Sequence, residues 1–594
     1  MPEGMFGVSR SRRSKNNLEQ LLFLVCFILL LLAVSRSLNR CRKHLSSTEE
    51  NTFIPHHALC ERDDEATFAD HEDLICWLLP STLKVIEPSH SGDGELNITP
   101  GITIQNDGSA GFLYAARGEY ESIQLVLYTD GEIAHLPVQY LPAGTKPLPE
   151  AWVNIYRVLT VNTPGVAKWG FPENKPERRC TAYPDPLLPL QGALSLEPGE
   201  FKVLWLSINV PCNAVSGEYT GEISLGGARV PLHLKVWPFA IPGASTLRTA
   251  FGLGGKGFAS HHQVAYRSDE YQEIYRLYYD ALLDYRINAY HLPYGGGGAG
   301  GSLLDPRARP YLKDERVGAF IGYYHQNEAL MAETWAYLEQ QGVSEKAWIF
   351  NLDEPLTEKD YSTIEKQAAY LDRLIPEIPY GVTFHTGPPW DQQSSPFDHL
   401  SSSVDRWIIQ TNYFVQGRGR EESFKEQLGQ AYEDGDEVWL YVSLAPREPY
   451  CNLLLNNAAL QHRLLPWQCY SAGIVSGFLY WQTTFWEETS DPYNDQATVK
   501  KHDPHLYGDG SLFYPGAAVG MNGPVGSIRL HNLRDGLEDY EYLVLAEQAF
   551  GRAETMELVE AISPSFGNYI EDPFLFETVR QSLGEKLSRY YDGG

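Results

Sequence analysis

Beyond Pro242-Gly243 the apolar pattern changes, and one rhythm then runs almost to the carboxyl end. Short apolar runs alternate with stretches of helical periodicity. Residues 249–253, 286–292, 317–321, 347–352, 381–385, 406–412, 437–444 and 477–486 read as strands, the third of them weakly marked. Residues 270–285, 330–340, 358–374 and 458–472 read as helices. That is about eight strands in roughly 300 residues, the number needed to close a (β/α)8 barrel. From Arg529 onward the pattern is helical and is expected to pack on the barrel.

Upstream the period is two. Residues 122–128, 203–209, 221–225 and 230–236 alternate apolar with polar between Gly, Pro and Asp turns. That pattern predicts an antiparallel β-sandwich. The expected fold class is therefore multidomain: an N-terminal antiparallel β-sandwich, then a (β/α)8 TIM-type barrel with C-terminal helices.

The first 43 residues hold an uninterrupted apolar run, 21–34, with Arg10, Arg12, Arg13 and Lys15 before it and Arg36, Arg40, Arg42 and Lys43 after it. Extended to Leu38, with the cationic side chains snorkelling, it reads as a signal-anchor. The expected organisation is a cytoplasmic tail at 1–20, the anchor at 21–38, a stalk at 39–84, the sandwich at 85–243 and the barrel with its helical extension at 244–594. This describes a single-pass type II membrane protein of the secretory pathway or cell surface, its body lumenal or extracellular. Cleavage near Ala33-Val34-Ser35 and secretion is the alternative. Eight cysteines suit that compartment. Cys60/Cys76, Cys180/Cys212 and Cys451/Cys469 are compatible with three bridges and equally with buried thiols. Asn97-Ile98-Thr99 is a glycosylation sequon.

A formal net charge of −29 repels phosphate backbones and argues against a nucleic-acid partner. The 13 Trp and 36 Tyr suit stacking on the apolar faces of sugar rings.

Barrels of this kind carry their chemistry at the carboxyl ends of the strands. The fourth strand runs into Asp353-Glu354-Pro355. Side chains alternate along a strand, but at its end two neighbours can converge on one ligand. Paired carboxylates raise one another's pKa, which suits general acid work near neutrality. The plain alternative is a loop leading into the cap of the helix that opens at Thr357–Asp360. Other strand ends bring Tyr290, His291, Tyr294, His385, Trp390, Asn412, Tyr413, Tyr441, Ser443, Tyr480, Trp481, Phe485 and Trp486. Together they describe an aromatic cup around a carboxylate pair, as cleavage of a glycosidic bond requires. Gly295–Gly301 lacks the Lys-Ser/Thr of a phosphate loop and reads as a lid or linker. His502, Asp503, His505 and Asp509 lack helical spacing, and no metal and no cofactor is expected. No Gly-x-Ser-x-Gly is present.

Ordered motifs carry the reading further. They are residues 115–122 (AARGEYES), Pro184-Asp-Pro, residues 217–221 (GEYTG), Arg286-Ile-Asn, Asp353-Glu-Pro, residues 438–442 (VWLYV), His462-Arg463 before Leu465-Pro-Trp467, residues 477–481 (GFLYW), Gly508-Asp-Gly510, residues 513–516 (FYPG) and residues 529–542 (RLHNLRDGLEDYEY). Over about Val85 to Tyr542 the chain resembles glycoside hydrolase family 123. The resemblance implies an exo-acting β-N-acetylgalactosaminidase using substrate-assisted retention, with Asp353 and Glu354 as the catalytic pair. Glu354 would act as acid and base, and Asp353 would orient the substrate's 2-acetamido group. His291, His385, Asn412, Tyr413, Tyr441, Trp481 and Trp486 are expected to bind substrate, with Trp481 and Trp486 walling the acetamido pocket. The chain departs from the family pattern at Ala445-Pro-Arg447-Glu448 and at Thr483-Thr484-Phe485, both on that wall. The expected partners are a glycan or glycoconjugate and, through the N-terminal segment, a membrane. The alternatives are a retaining glycosidase with Glu448 as nucleophile, or an inactive membrane-tethered carbohydrate-binding protein.

Overall fold

The computed structural model describes residues 61–62, 74–86, 88–91, 95–98, 102–105, 111–163, 182–322, 324–385, 394–416, 421–496 and 506–592. The tail and anchor, Cys26, Cys41, Cys60, Cys180, Trp390, His502, Asp503, His505 and Thr99 of the sequon lie outside them. Among the described residues no helix is long and apolar enough to cross a membrane.

Two sheets form the N-terminal module. One is built from β1 (Leu74–Pro80), β3 (Glu119–Thr129), β7 (Phe201–Val210), β5 (Val153–Asn162) and β6 (Ala182–Pro189), antiparallel in that order. The other sets β4 (Val138–Pro142) against β8 (Gly217–Leu225) and β9 (Ala228–Ala240), with β2 (Gly111–Arg117) parallel to β9. Leu125, Leu127, Leu204, Leu206, Ile223, Leu232 and Leu234 fill the space between the sheets. Alternation along β8 and β9 selects Ile223, Leu232 and Leu234, as the period of two predicts. Residues 74–80 sit inside the segment expected to be a stalk, yet they form a sandwich strand. The run LICWLLP is apolar throughout, and it is buried on both faces: Cys76 and Leu78 meet the sandwich core while Trp77 and Leu79 pack on the other side.

The second module is a nearly closed parallel barrel. Its strands are β10 (Arg248–Phe251), β11 (Phe320–Gly322), β12 (Ala347–Phe350), β13 (Tyr380–Phe384), β14 (Arg406–Gln410), β15 (Glu437–Val442) and β16 (Val475–Tyr480). They form one seven-stranded sheet in the order β10-β16-β15-β14-β13-β12-β11. The strand expected at 286–292 is reduced to a single bridge, Phe251 with Ala289. It still fills the gap: Phe251 N–H donates to Asn288 O, Tyr290 N–H to Phe251 O and Ile321 N–H to Tyr290 O, at 2.9, 2.7 and 2.7 Å. The segment is short because the Asn288 side chain takes over pairing that a ladder would make, accepting from Gly318 N–H and donating to Arg316 O.

Helices α1 (Asp269–Asp284), α2 (Glu328–Gln341), α3 (Glu358–Leu374), α4 (Thr411–Gln416), α5 (Glu421–Glu433) and α6 (Ala459–Ala472) surround the strands. The interior is layered. Arg248, Arg406 and Glu437 close its amino-terminal end, and the Arg406 guanidinium lies 4.6 and 4.5 Å from the ring centres of Trp348 and Trp439. The two indoles fit because Gly381 and Gly477 face them; a Cβ there would come within 2.6 and 2.2 Å of the rings.

β17 (Tyr514–Pro515) and β18 (Pro524–Ser527) follow the barrel in sequence, yet β18 pairs with β6 and extends the sandwich sheet. Helices α7 (Ile528–Phe550), α8 (Arg552–Ile562) and α9 (Pro573–Asp592) then cover the seam. This seam is charged although buried. Arg463 of α6 makes a bidentate pair with Asp539 of α7 (2.7 and 3.0 Å) and reaches Glu121 of the sandwich at 3.3 Å. Arg580 of α9 bonds Asp539 and Glu119, and Arg286 bonds Glu538. Burial drives the carboxyls of Glu119, Asp535, Glu538 and Glu577 upward, to about 8, 6, 7 and 7, against the pull of these arginines. Asp539 is also penalised by burial, but Arg463 and Arg580 outweigh that and hold it below its ordinary value.

Cys469 is a buried free thiol, raised by burial, so it forms no bridge with Cys451; it sits in the wholly buried stretch of α6. Cys212 is a free, exposed thiol.

Candidate active site

Asp353 and Glu354 stand just past the carboxyl end of β12. They do not cap the next helix. Thr357 and Asp360 do that reciprocally: the Thr357 hydroxyl accepts from Asp360 N–H and the Asp360 carboxylate from Thr357 N–H, at 3.2 and 2.9 Å. Glu354 has φ +46°, a left-handed conformation uncommon outside glycine. Strain of this kind persists where neighbours hold it and concentrates at functional sites.

Three hydrogen bonds hold it. Glu354 N–H donates to Thr383 Oγ1 at 2.9 Å. The Thr383 hydroxyl donates its one proton to Asp353 Oδ1 at 2.5 Å. The Tyr441 hydroxyl donates to Glu354 Oε1 at 2.5 Å. Period two explains the aim: Thr383 follows Gly381 by two residues and Tyr441 follows Trp439 by two, so both share the interior face. One threonine on the neighbouring strand thus ties the side chain of one acid to the backbone of the other.

The surrounding charges follow. Burial raises the Asp353 carboxyl and Glu354 raises it further, while the Thr383 hydroxyl and His385 pull it back. The residue keeps solvent contact, so the burial is of its neighbourhood and not a sealed interior. Burial and then the Glu354 carboxylate lift the Tyr441 phenol well above its ordinary range, so it remains a proton donor. Tyr290 is raised by burial and by Asp353, which locates its hydroxyl within the same field.

The remaining expected site residues divide. His385 directly follows β13, half-buried, close enough to Asp353 to act on its charge. Trp481 directly follows β16, half-buried; its Nε1–H donates to Asp509 at 2.9 Å and its ring lies 5.0 Å from Phe485. Asn412 is the second residue of α4, which follows β14 directly, and its buried Oδ1 has no hydrogen-bond partner among the described residues. Tyr413, one residue on, packs in the core between barrel and helices. His291 is held neutral, burial lowering it to about 4, and its ring packs under Gly297. Gly295–Gly296 and Gly300–Gly301 pair as a small hairpin packed on that ring, in place of the lid or linker expected there. Trp486 is 1% exposed, stacked on Phe258, with Nε1–H donated to Ser511; it lies in the core away from the rim. Glu448 accepts from Gln461 of α6 at 2.8 Å. Among the described residues no cluster of three or more His, Cys, Asp or Glu is arranged to hold a metal.

Sequence reasoning missed Thr383, although its position two residues before His385 on one strand marks it as inward-facing. It met Asp509 as a metal candidate and within the Gly508-Asp-Gly510 motif, without a role at the site, because the indole it anchors is 28 residues away.

Thr383→Val removes the hydroxyl at nearly constant volume. With that donor gone the Asp353 carboxylate is less favoured, so activity that needs it ionised is lost at higher pH as pH falls. The expected result is an acid limb of kcat/KM displaced to higher pH. At pH 5 the loss relative to wild type should be about tenfold, the rate equivalent of one charge-assisted hydrogen bond. An unshifted acid limb would exclude the coupling.

Residues 322–546 match the family model described as glycoside hydrolase 123, catalytic domain. No curated protein matches the chain. Among solved structures, a family 123 glycoside hydrolase from Clostridium perfringens, studied for glycolipid glycan hydrolysis, superposes with a TM-score of 0.61 at 10% identity, covering 88% of this chain and 98% of that one. A glycosyl hydrolase family 2 member from Bacteroides cellulosilyticus reaches 0.23 at 9% identity over 68% and 45%. A putative β-galactosidase from Bacteroides fragilis reaches 0.22 at 9% over 68% and 55%.

Proposed function

We propose that the chain, whose residues 322–546 match the glycoside hydrolase 123 catalytic-domain model, removes terminal β-linked N-acetylgalactosamine, or a related N-acetylhexosamine, from glycans by substrate-assisted retaining hydrolysis. The observation that carries this reading is the linked pair: Asp353 and Glu354, adjacent in sequence, share one threonine at the barrel rim.

The chemistry follows from that placement. The acetamido carbonyl oxygen of the sugar attacks its own anomeric carbon and forms an oxazolinium ring. The glycosidic C–O bond breaks as Glu354 gives its proton to the departing oxygen. Glu354, now a carboxylate, takes a proton from water as the water oxygen opens the ring at the anomeric carbon, so the configuration is retained. Asp353 accepts from the acetamido N–H, aligning the amide and balancing the positive charge that develops on it. Substrate-assisted enzymes need no second carboxylate at nucleophile distance. Tyr441 fixes the rotamer of Glu354, and Trp481 walls the sugar site. The Clostridium perfringens relative's glycolipid glycans make a glycolipid headgroup part of this proposal. So does the N-terminal segment 21–38, proposed as an anchor that holds the body near a membrane surface.

The test compares an aryl N-acetyl-β-galactosaminide with the aryl β-galactoside that carries a 2-hydroxyl. Losing the internal nucleophile should cost about 10³ in kcat/KM or more. Comparable rates on both would sink substrate assistance. Sugar binding with no hydrolysis of either would establish a carbohydrate-binding protein instead.

A further inference from the structure

Three motifs that the chemistry above leaves unused meet at one buried point: Pro184-Asp-Pro of the sandwich, Gly508-Asp-Gly510 of the loop after the barrel, and Arg529 at the start of α7. Asp185 and Arg529 are both fully buried. The guanidinium spends all five of its N–H bonds there. Nε–H and one Nη2–H go to Asp185 Oδ2 at 3.0 and 2.8 Å. The Nη1 hydrogens go to Leu453 O and Gly508 O at 3.1 and 2.7 Å, and the remaining Nη2–H to Ser511 O at 2.5 Å. Tyr514 adds a hydroxyl to Asp185 at 2.6 Å. The loop from Gly508 to Ser511 is therefore gripped at both ends by an arginine whose counter-charge lies in the other module.

The loop in turn carries Asp509. Its carboxylate accepts from Trp481 Nε1–H at 2.9 Å and from Tyr480 O–H at 3.1 Å. The Tyr480 oxygen accepts from Gly510 N–H at 2.8 Å. Both glycines are sterically required. A Cβ on Gly508 would come within 2.6 Å of the Arg529 guanidinium, and one on Gly510 within 2.3 Å of the Trp481 indole. Both also have positive φ, +78° and +69°. Burial raises Asp509 to about 6, and the donors from Trp481 and Tyr480, with Arg529, hold it back. An indole at the end of β16 stands beside β15, which brings Tyr441 to Glu354.

We propose that Asp185 and Arg529 are positioning residues of the active site: through the Gly508–Ser511 loop they set Asp509, and Asp509 sets the Trp481 indole that forms the wall of the sugar site. The sandwich is on this view a working part of the catalytic centre. The inference rests on the site reading above, so its test needs a readout independent of hydrolysis.

The full chain is labelled with 5-fluorotryptophan, and the Trp481 fluorine resonance is assigned with Trp481→Phe. Without substrate, Asp509→Ala and Asp185→Asn should displace or broaden that resonance and leave the resonances of the barrel indoles in place. In kinetics on the aryl N-acetyl-β-galactosaminide, Asp509→Ala should raise KM about tenfold with kcat changed less than about threefold, the pattern of lost uniform binding. Asp509→Asn keeps an acceptor for the indole and should restore KM to within about threefold. A Trp481 resonance unmoved in folded Asp509→Ala overturns the proposal whatever the kinetics. The same result in folded Asp185→Asn, with Asp509→Ala shifted, overturns the role of the sandwich; should Asp185→Asn not fold, Arg529→Lys, which cannot supply five donors, replaces it. Absence of hydrolysis by the wild type would remove the functional reading, while the resonance still decides the positioning.

Discussion

Glu354→Gln is expected to lower kcat/KM about 10³-fold on a glycan or alkyl N-acetyl-β-galactosaminide and far less on a dinitrophenyl glycoside. A poor leaving oxygen needs a proton as the bond breaks, and a positioned general acid is worth about 10²–10⁴ in rate. A dinitrophenolate departs unprotonated. The Gln side chain keeps the acceptor for the Tyr441 hydroxyl and so the local geometry. Asp353→Asn should behave differently, losing about 10²-fold or more on both substrates, because alignment of the acetamide precedes departure of any leaving group. Azide, a small external nucleophile, should accelerate the Glu354→Gln enzyme at its second step and leave Asp353→Asn slow. Equal losses for the two variants across both leaving groups, or equal rescue, would invalidate the assigned roles.

The largest stability effect is expected at the buried seam. Arg463 is fully buried, with Asp539 at 2.7 Å, Glu121 at 3.3 Å, Glu577 at 3.8 Å and Asp535 at 3.9 Å. Arg463→Met keeps much of the volume and leaves these carboxyls without their common counter-charge. Breaking one partner of a buried pair costs about 3–5 kcal/mol. The pH dependence has a definite sign. Carboxyls raised in the folded chain bind protons there that the unfolded chain, titrating near its ordinary range, has already released. Stability therefore rises as pH falls, beginning near 8 with Glu119, joined by Glu538, Glu577 and Asp535 between about 7 and 6, and levelling off only in the ordinary carboxyl range near 4. Thermal unfolding of the variant should show a depressed Tm at pH 8 that recovers toward pH 6. A Tm equal to wild type throughout would mean the seam contributes nothing to cohesion.

Periodicity exposed the barrel because each strand buries one face on the interior and one on a helix, so the apolar runs are nearly continuous. It placed Asp353 and Glu354 at a strand end for the same reason. It overread residues 286–292, where an apolar run pairs through only one bridge because the Asn288 side chain occupies the neighbouring hydrogen-bond sites. It underread residues 74–80, whose polar surroundings masked a run buried on both faces. Trp486 shows a different limit. Nothing local distinguishes an aromatic that faces a cleft from one that faces a helix once the strand has ended, and β16 stops at Tyr480. Thr383 and Asp509 act through partners 30 and 28 positions away, a coupling that only the folded chain displays.

Pairing of β18 with β6 has a practical outcome for anyone dissecting the molecule. Scissors placed at 243/244, or at the limits of residues 322–546, would tear a backbone ladder and strand Asp185 from Arg529 in opposite fragments. Neither piece inherits the complete sheet that β18 extends. The same stitching resists hinge bending between the modules, and recombinant work should begin upstream of Leu74.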